Sequence, residues 1–121
     1  MDQELLRFIQ AAIKSVWALE LLLLLRRDTS GKGWSVERLT EETRSSRLVV
    51  DGVLATFKAA GLVAEIAEGA YRYGAPYALD RLVGMLESEY AARPSVVIRA
   101  ILSAPNDKVQ TFAEAFRLRR D

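Results

Sequence analysis

The chain has 121 residues, half of them hydrophobic, with 17 basic and 16 acidic side chains for a formal net charge of +1. That is the size of one domain with enough apolar material for a core. It contains neither cysteine nor histidine, which excludes disulfide frameworks, thiolate metal sites, Ser/His/Asp and Cys/His hydrolysis, and a histidine pH switch.

From Asp2 to Arg27 there is no glycine or proline, and Leu5, Leu6, Ile9, Ile13, Val16, Trp17, Leu23 and Leu24 recur at helical spacing. The expectation is one long helix over 2–27. Its run from Val16 to Leu25 is about half the length of a bilayer span and is interrupted by Glu20. Asp2 and Glu4 open the chain where a secretory signal would be basic, so a cytoplasmic protein without a membrane segment is expected. Leu19, Leu21, Leu22 and Leu25 make the end of this helix apolar on every side. A second subunit is one way to cover the surplus face, and Leu19, Leu22 and Leu25 are the candidates for self-association.

Asp28 to Gly33 reads as a turn, and Gly31-Lys32-Gly33 lacks the spacing of a phosphate-binding loop. Trp34 then suits a short strand. Ser35 is placed to cap a helix over 36–43 and Ser46 a second helix to about Ala60, with Gly61 just past its end. Leu62–Ile66 and Tyr71–Tyr73 read as two strands joined by a turn at 67–70, and Tyr71 and Tyr73 share one face because Arg72 lies between them. Beyond Pro76, Leu79, Leu82, Val83, Leu86 and Tyr90 form the stripe of a helix ending near Ala92. Pro94 opens another helix, lined by Val97, Ile98, Ile101 and Leu102. Val109, Phe112, Ala113 and Phe116 line a last helix that ends in Arg117-Leu118-Arg119-Arg120, a basic cluster that complements the helix dipole. The expected fold is therefore mainly α with a small β-hairpin, six helices in one domain over 1–121.

Leu39, Thr43, Ser46-Arg47, Val50, Leu54, Phe57 and Ala59-Ala60-Gly61-Leu62-Val63 carry a resemblance. This stretch, about a third of the chain with its hairpin, resembles the winged helix-turn-helix of MarR-like and ArsR-like transcriptional regulators. The resemblance implies a winged-helix core over about 35–74, with the helix at 2–27 and those over 78–120 serving packing or dimerisation. It further implies a DNA-binding regulator, acting as a homodimer on double-stranded DNA and reading it with the helix Ser46–Ala60. Arg47 would contact bases or phosphate, beside Ser45, Ser46 and Val49, and Arg44, Lys58 and Arg72 would hold the backbone.

Charge opposes that reading. Between Ser35 and Gly74 six acids face five bases, a net of −1, whereas phosphate neutralisation supplies most non-specific DNA affinity. The alternative is a protein-interaction module on the same scaffold, turning Leu48, Val49 and Val53 toward another regulator or signalling protein. Catalysis is not expected. The close acids Glu41/Glu42 and Glu87/Glu89 sit at adjacent or alternate helical positions, where side chains diverge, and no motif for a cofactor or metal accompanies them.

Overall fold

In the computed structural model, which describes residues 1–103, the apolar N-terminal stretch folds as two helices. Helix α1 spans Gln3–Ala12 and α2 spans Val16–Arg27, with a bend of 104° between them. The expected single helix over 2–27 is thereby corrected. Neither glycine nor proline makes the corner. Ser15 starts the second helix from an extended backbone (φ −159°, ψ 164°), its hydroxyl accepting from the Ala18 N–H at 3.1 Å. Ile13, also extended, is fully buried, so the bend folds two apolar helix faces onto one core. Periodicity alone could not register it, because the apolar spacing continues through the corner.

The bend also settles the leucines of α2. Leu19, Leu22 and Leu25 are 0%, 0% and 1% exposed, enclosed by the chain itself. They cannot line a subunit interface, and the self-association surface expected there is corrected. The surplus apolar faces of α2 are covered from within, with a helix over 36–43 and a hairpin strand among its neighbours.

After the turn, strand β1 (Trp34–Ser35) leads into α3 (Val36–Thr43) and α4 (Arg47–Ala59). Both helices are capped as their sequences require: Ser35 accepts from the Arg38 N–H at 3.1 Å and Ser46 from the Val49 N–H at 3.2 Å. Leu39, Val50, Leu54 and Phe57 all point into the core. The end of α4 is a Schellman motif: the Leu62 N–H donates to Phe57 O and Gly61 N–H to Lys58 O, with Gly61 at φ 79°. Leu62 therefore belongs to the helix cap, and strand β2 begins one residue later than the periodicity suggests, at Val63–Ala67.

The end of α3 has the same hydrogen-bond pattern, with the Ser45 N–H donating to Thr40 O and the Arg44 N–H to Glu41 O. Here the left-handed position is held by an arginine, Arg44 at φ 52°. A side chain in this conformation costs roughly 1–2 kcal/mol relative to glycine. Arg44→Gly is accordingly expected to raise stability by about 1 kcal/mol, read as a higher urea midpoint at unchanged slope.

Strands β2 and β3 (Ala70–Tyr73) form an antiparallel hairpin closed at Gly69, and β1 adds to the far edge of β3 to give the order β1-β3-β2. Trp34 pairs with Tyr71 in this sheet, and the Arg38 guanidinium lies 4.3 Å from the Trp34 ring centre. Tyr71 and Tyr73 turn toward the core while Arg72 faces solvent. Helix α5 (Tyr77–Ala92) and α6 (Pro94–Ser103) complete the described chain, with Pro94 at the first helical position. The last expected helix, with Val109, Phe112, Ala113, Phe116 and the Arg117–Arg120 cluster, lies outside the described residues.

A polar cluster ties three elements together. Tyr73 of β3 donates to Asp80 of α5 at 2.5 Å, Arg26 of α2 reaches Asp80 at 3.2 Å and Glu87 at 2.6 Å, and Arg27 reaches Glu87 at 3.0 Å. Arg81 of α5 pairs with Glu4 of α1. Among the described residues no single helix is long and apolar enough to cross a membrane. Only α1 and α2 taken together would be, and the corner separates them.

Candidate interaction groove

Helix α4 sends Val50, Leu54 and Phe57 inward. Leu48 and Val49 are left on its exposed side, with Val53 half-buried between the two faces. Leu48 is 83% exposed and Val49 44%, and Trp17 across the cleft on α2 is 48% exposed. Val49 and Leu48 border one groove, and Val49 and Trp17 share the crevice that continues from it.

The outer face of α4 and the α1–α2 corner enclose a groove of about 320 Å³. Leu48, Val49, Gly52, Val53 and Thr56 form one wall, Ala12, Lys14 and Ala18 the other, and Phe57 the floor. A narrower crevice continues from Val49 and Val53 toward Trp17, Leu21, Thr43 and Ser45. The lining is almost wholly apolar, and its small residues, Ala12, Ala18 and Gly52, leave room for bulky groups to enter. Clustered apolar surface of this kind marks a binding site far more often than scattered exposed leucines do.

Gly52 sharpens the point. It lies mid-helix, where glycine costs about 0.5–1 kcal/mol relative to alanine. Its conformation is helical, and a Cβ added there would meet nothing within 4 Å. Nothing inside the chain requires its smallness. Gly52→Ala is expected to stabilise the fold by about 0.5–1 kcal/mol, read in thermal or urea unfolding, while narrowing the groove.

The cations expected to hold a phosphate backbone are differently placed. Arg47 lies 2.9 Å from Glu37 and 3.9 Å from Asp51, and Lys58 lies 3.0 Å from Glu65 on β2. The Lys58 hydrogen bond, with a second from the Gly69 N–H, holds the Glu65 carboxyl below its ordinary range. Arg44 and Arg72 make no ion pair among the described residues and face solvent. Ser46 spends its hydroxyl on the helix cap, and half-buried Ser45 lines the crevice near Trp17. Of the seven residues expected to form a site, Arg44, Ser45, Ser46, Arg47 and Val49 converge around the start of α4. Lys58 sits at the other end of the helix, and Arg72 lies on the hairpin.

Sequence reasoning did not find Trp17, Ala12, Lys14 and Ala18, which the corner carries to the groove. The signal available for them was Ser15, a capping residue inside an otherwise uninterrupted helical pattern. Of the close acids, Glu87 is taken by Arg26 and Arg27, and Glu89 by Arg93 at 3.1 Å. Among the described residues no group of three or more acidic side chains is placed to hold a metal ion.

No family model, no curated protein and no solved structure matches this chain.

Proposed function

We propose that this chain is a cytoplasmic winged-helix protein without catalytic activity, and that it binds another protein through the outer face of α4. The observation that carries this reading is the exposure of Leu48 and Val49 beside Trp17, over a groove lined almost entirely by apolar atoms. A helix reading DNA bases presents hydrogen-bonding side chains. The exposed start of this one sets Leu48, Val49 and Gly52 among Arg47, Asp51 and Thr56, and its leading arginine is paired with Glu37 and Asp51. An apolar helix seated in the groove would bury these groups, which is the helix-in-groove mode of recognition.

The second reading, a homodimeric DNA-binding regulator, draws on the helix–turn–helix–hairpin order and on Arg44 and Arg72, which lack ion pairs among the described residues. Arg47 would have to leave its two carboxylates before it met a phosphate. Any dimer would use faces other than Leu19, Leu22 and Leu25.

Photo-crosslinking from a benzophenone side chain at position 48, in the producing cells, separates the two. The expected product is a protein adduct whose purified partner binds the wild-type chain and loses at least about tenfold in affinity, or 1.4 kcal/mol, against Leu48→Asp. Nucleic-acid adducts, together with saturable and salt-sensitive binding to duplex DNA, would overturn the protein reading in favour of the regulator.

A further inference from the structure

Helix α4 carries a knob and a hole on one face. Leu48 projects from its exposed side at 83% exposure, and Gly52 follows four residues later, on the same face of the helix. Gly52 is itself exposed, and a Cβ placed on it would meet nothing within 4 Å. A protruding leucine and a bare patch of helix backbone are the two halves of a knob-into-hole contact. One copy cannot bring them together, because both lie on the same face. Two copies can.

The arrangement follows from a two-fold axis. Let two α4 helices lie antiparallel about an axis at the level of Val50, midway between Leu48 and Gly52. Leu48 of each copy then lies over Gly52 of the other, and the contact is made twice. The missing Cβ allows an approach of about 8 Å between helix axes, the near end of ordinary helix packing. The glycine whose smallness nothing inside the chain requires is thereby accounted for. In a parallel pair leucine would meet leucine and glycine would meet glycine.

Charge selects the same arrangement. Arg47 and Asp51 are also one turn apart, so they share one flank of α4, and both are exposed. Within the chain their closest approach is 3.9 Å, too long for a hydrogen bond. An antiparallel two-fold keeps equivalent flanks on one side and reverses their order. Arg47 of one copy then falls within two residues, about 3 Å along the axis, of Asp51 of the other. A parallel pair would set this flank against the opposite one, where Val49 and Thr56 lie. With a net charge of +1, the chain as a whole sets little repulsion against pairing.

We propose that the protein occupying the outer face of α4 is a second copy of this chain, paired antiparallel, with Leu48 of each copy over Gly52 of the other and two Arg47–Asp51 pairs across the two-fold. This rests on the reading of that face as a protein-binding surface, and it names the partner. A dimer of this kind covers the start of α4 and cannot lay that helix on DNA.

Sedimentation velocity of the full-length chain, from about 1 µM to about 1 mM, reads the pairing directly. The expected result is a reversible monomer–dimer equilibrium. Leu48→Asp removes the knob and Gly52→Leu fills the hole. Each is expected to raise the dissociation constant at least about tenfold, with the far-UV circular dichroism unchanged. Arg47→Asp alone and Asp51→Arg alone are each expected to weaken pairing about threefold or more, and the double exchange to restore it by remaking both pairs with reversed sign. A chain that stays monomeric at the highest concentration would overturn the proposal. So would a dimer indifferent to Leu48→Asp and Gly52→Leu, or a double exchange no better than its single members. The position-48 crosslink keeps the two ideas apart. An adduct at twice the chain mass supports the pairing, whereas an adduct with a different protein leaves the protein-binding reading standing and overturns this partner.

Discussion

Phe57→Ala is expected to destabilise the protein by about 3–5 kcal/mol, the range for deleting a buried aromatic ring. Phe57 is fully buried, lies on the inward face of α4, and its carbonyl accepts the Leu62 N–H that closes the helix. Leu62 is itself fully buried, so this contact is the hydrophobic seal of the Schellman turn. The site cannot collapse easily, because the ring also lines the groove and its helix is held between α3 and β2. Against a total stability of roughly 5–15 kcal/mol for a domain of this kind, the loss leaves a marginal fold. The measurement is a urea or thermal midpoint, set beside Leu48→Ala at an exposed position on the same helix. Leu48→Ala is expected to stay within about 0.5 kcal/mol of wild type. Equal effects at the two positions would mean that α4 does not turn the face described here toward the core.

The second large effect is expected at Asp80. Its carboxylate accepts from the Tyr73 hydroxyl and from Arg26, joining β3, α5 and α2. The Tyr73 hydrogen bond, and then Arg26, hold the Asp80 carboxyl below its ordinary range. Burial, reinforced by the Asp80 charge, pushes the Tyr73 phenol above its ordinary value. Since a carboxyl depressed in the folded state favours folding while ionised, the Asp80 contribution is complete above pH ~4 and fades as pH falls below it. The Tyr73 contribution has the opposite sign: it is present below pH ~10 and lost as pH rises through the elevated folded value. Asp80→Ala should cost about 1–2 kcal/mol at neutral pH, toward the low end for a charged hydrogen bond because the carboxylate is partly open to solvent. It should also flatten the acid limb of the stability profile. Asp80→Asn, which keeps an acceptor for Tyr73 and removes the charge, is expected to recover part of the stability and none of the acid dependence. A variant with the wild-type acid limb would remove Asp80 from the linkage.

Much of this architecture is local, and therefore written in short stretches of sequence. Ser35, Ser46 and Gly61 punctuate α3 and α4 as their side chains and backbone freedom demand, and the Tyr71/Tyr73 alternation places the hairpin against the core. The α1–α2 corner is of another kind. Ser15 is compatible with a continuing helix as well as with a cap, and only the burial of Ile13 and the enclosure of the α2 leucines decide between them. Those are contacts between distant parts of the chain. The groove was half legible for the same reason. Its α4 wall follows from the exposed Leu48 and Val49 positions and half-buried Val53, while its other wall depends on a bend that periodicity does not register. The ion pair between Arg47 and Glu37 was hidden as well, since it crosses from one helix to the next and no spacing rule within a single helix anticipates it.

The corner at Ser15 has a thermodynamic consequence for whatever fills the groove. One wall belongs to α4 and the other exists only while the first two helices are folded back on each other. A bound occupant therefore favours the bent arrangement over any straightened or frayed one by the full logarithm of its saturation, about 2.7 kcal/mol at a hundredfold excess over Kd. Recognition and the geometry of the N-terminal elbow are thus two readings of a single equilibrium. Loosening the elbow weakens capture, and capture in turn stiffens the elbow.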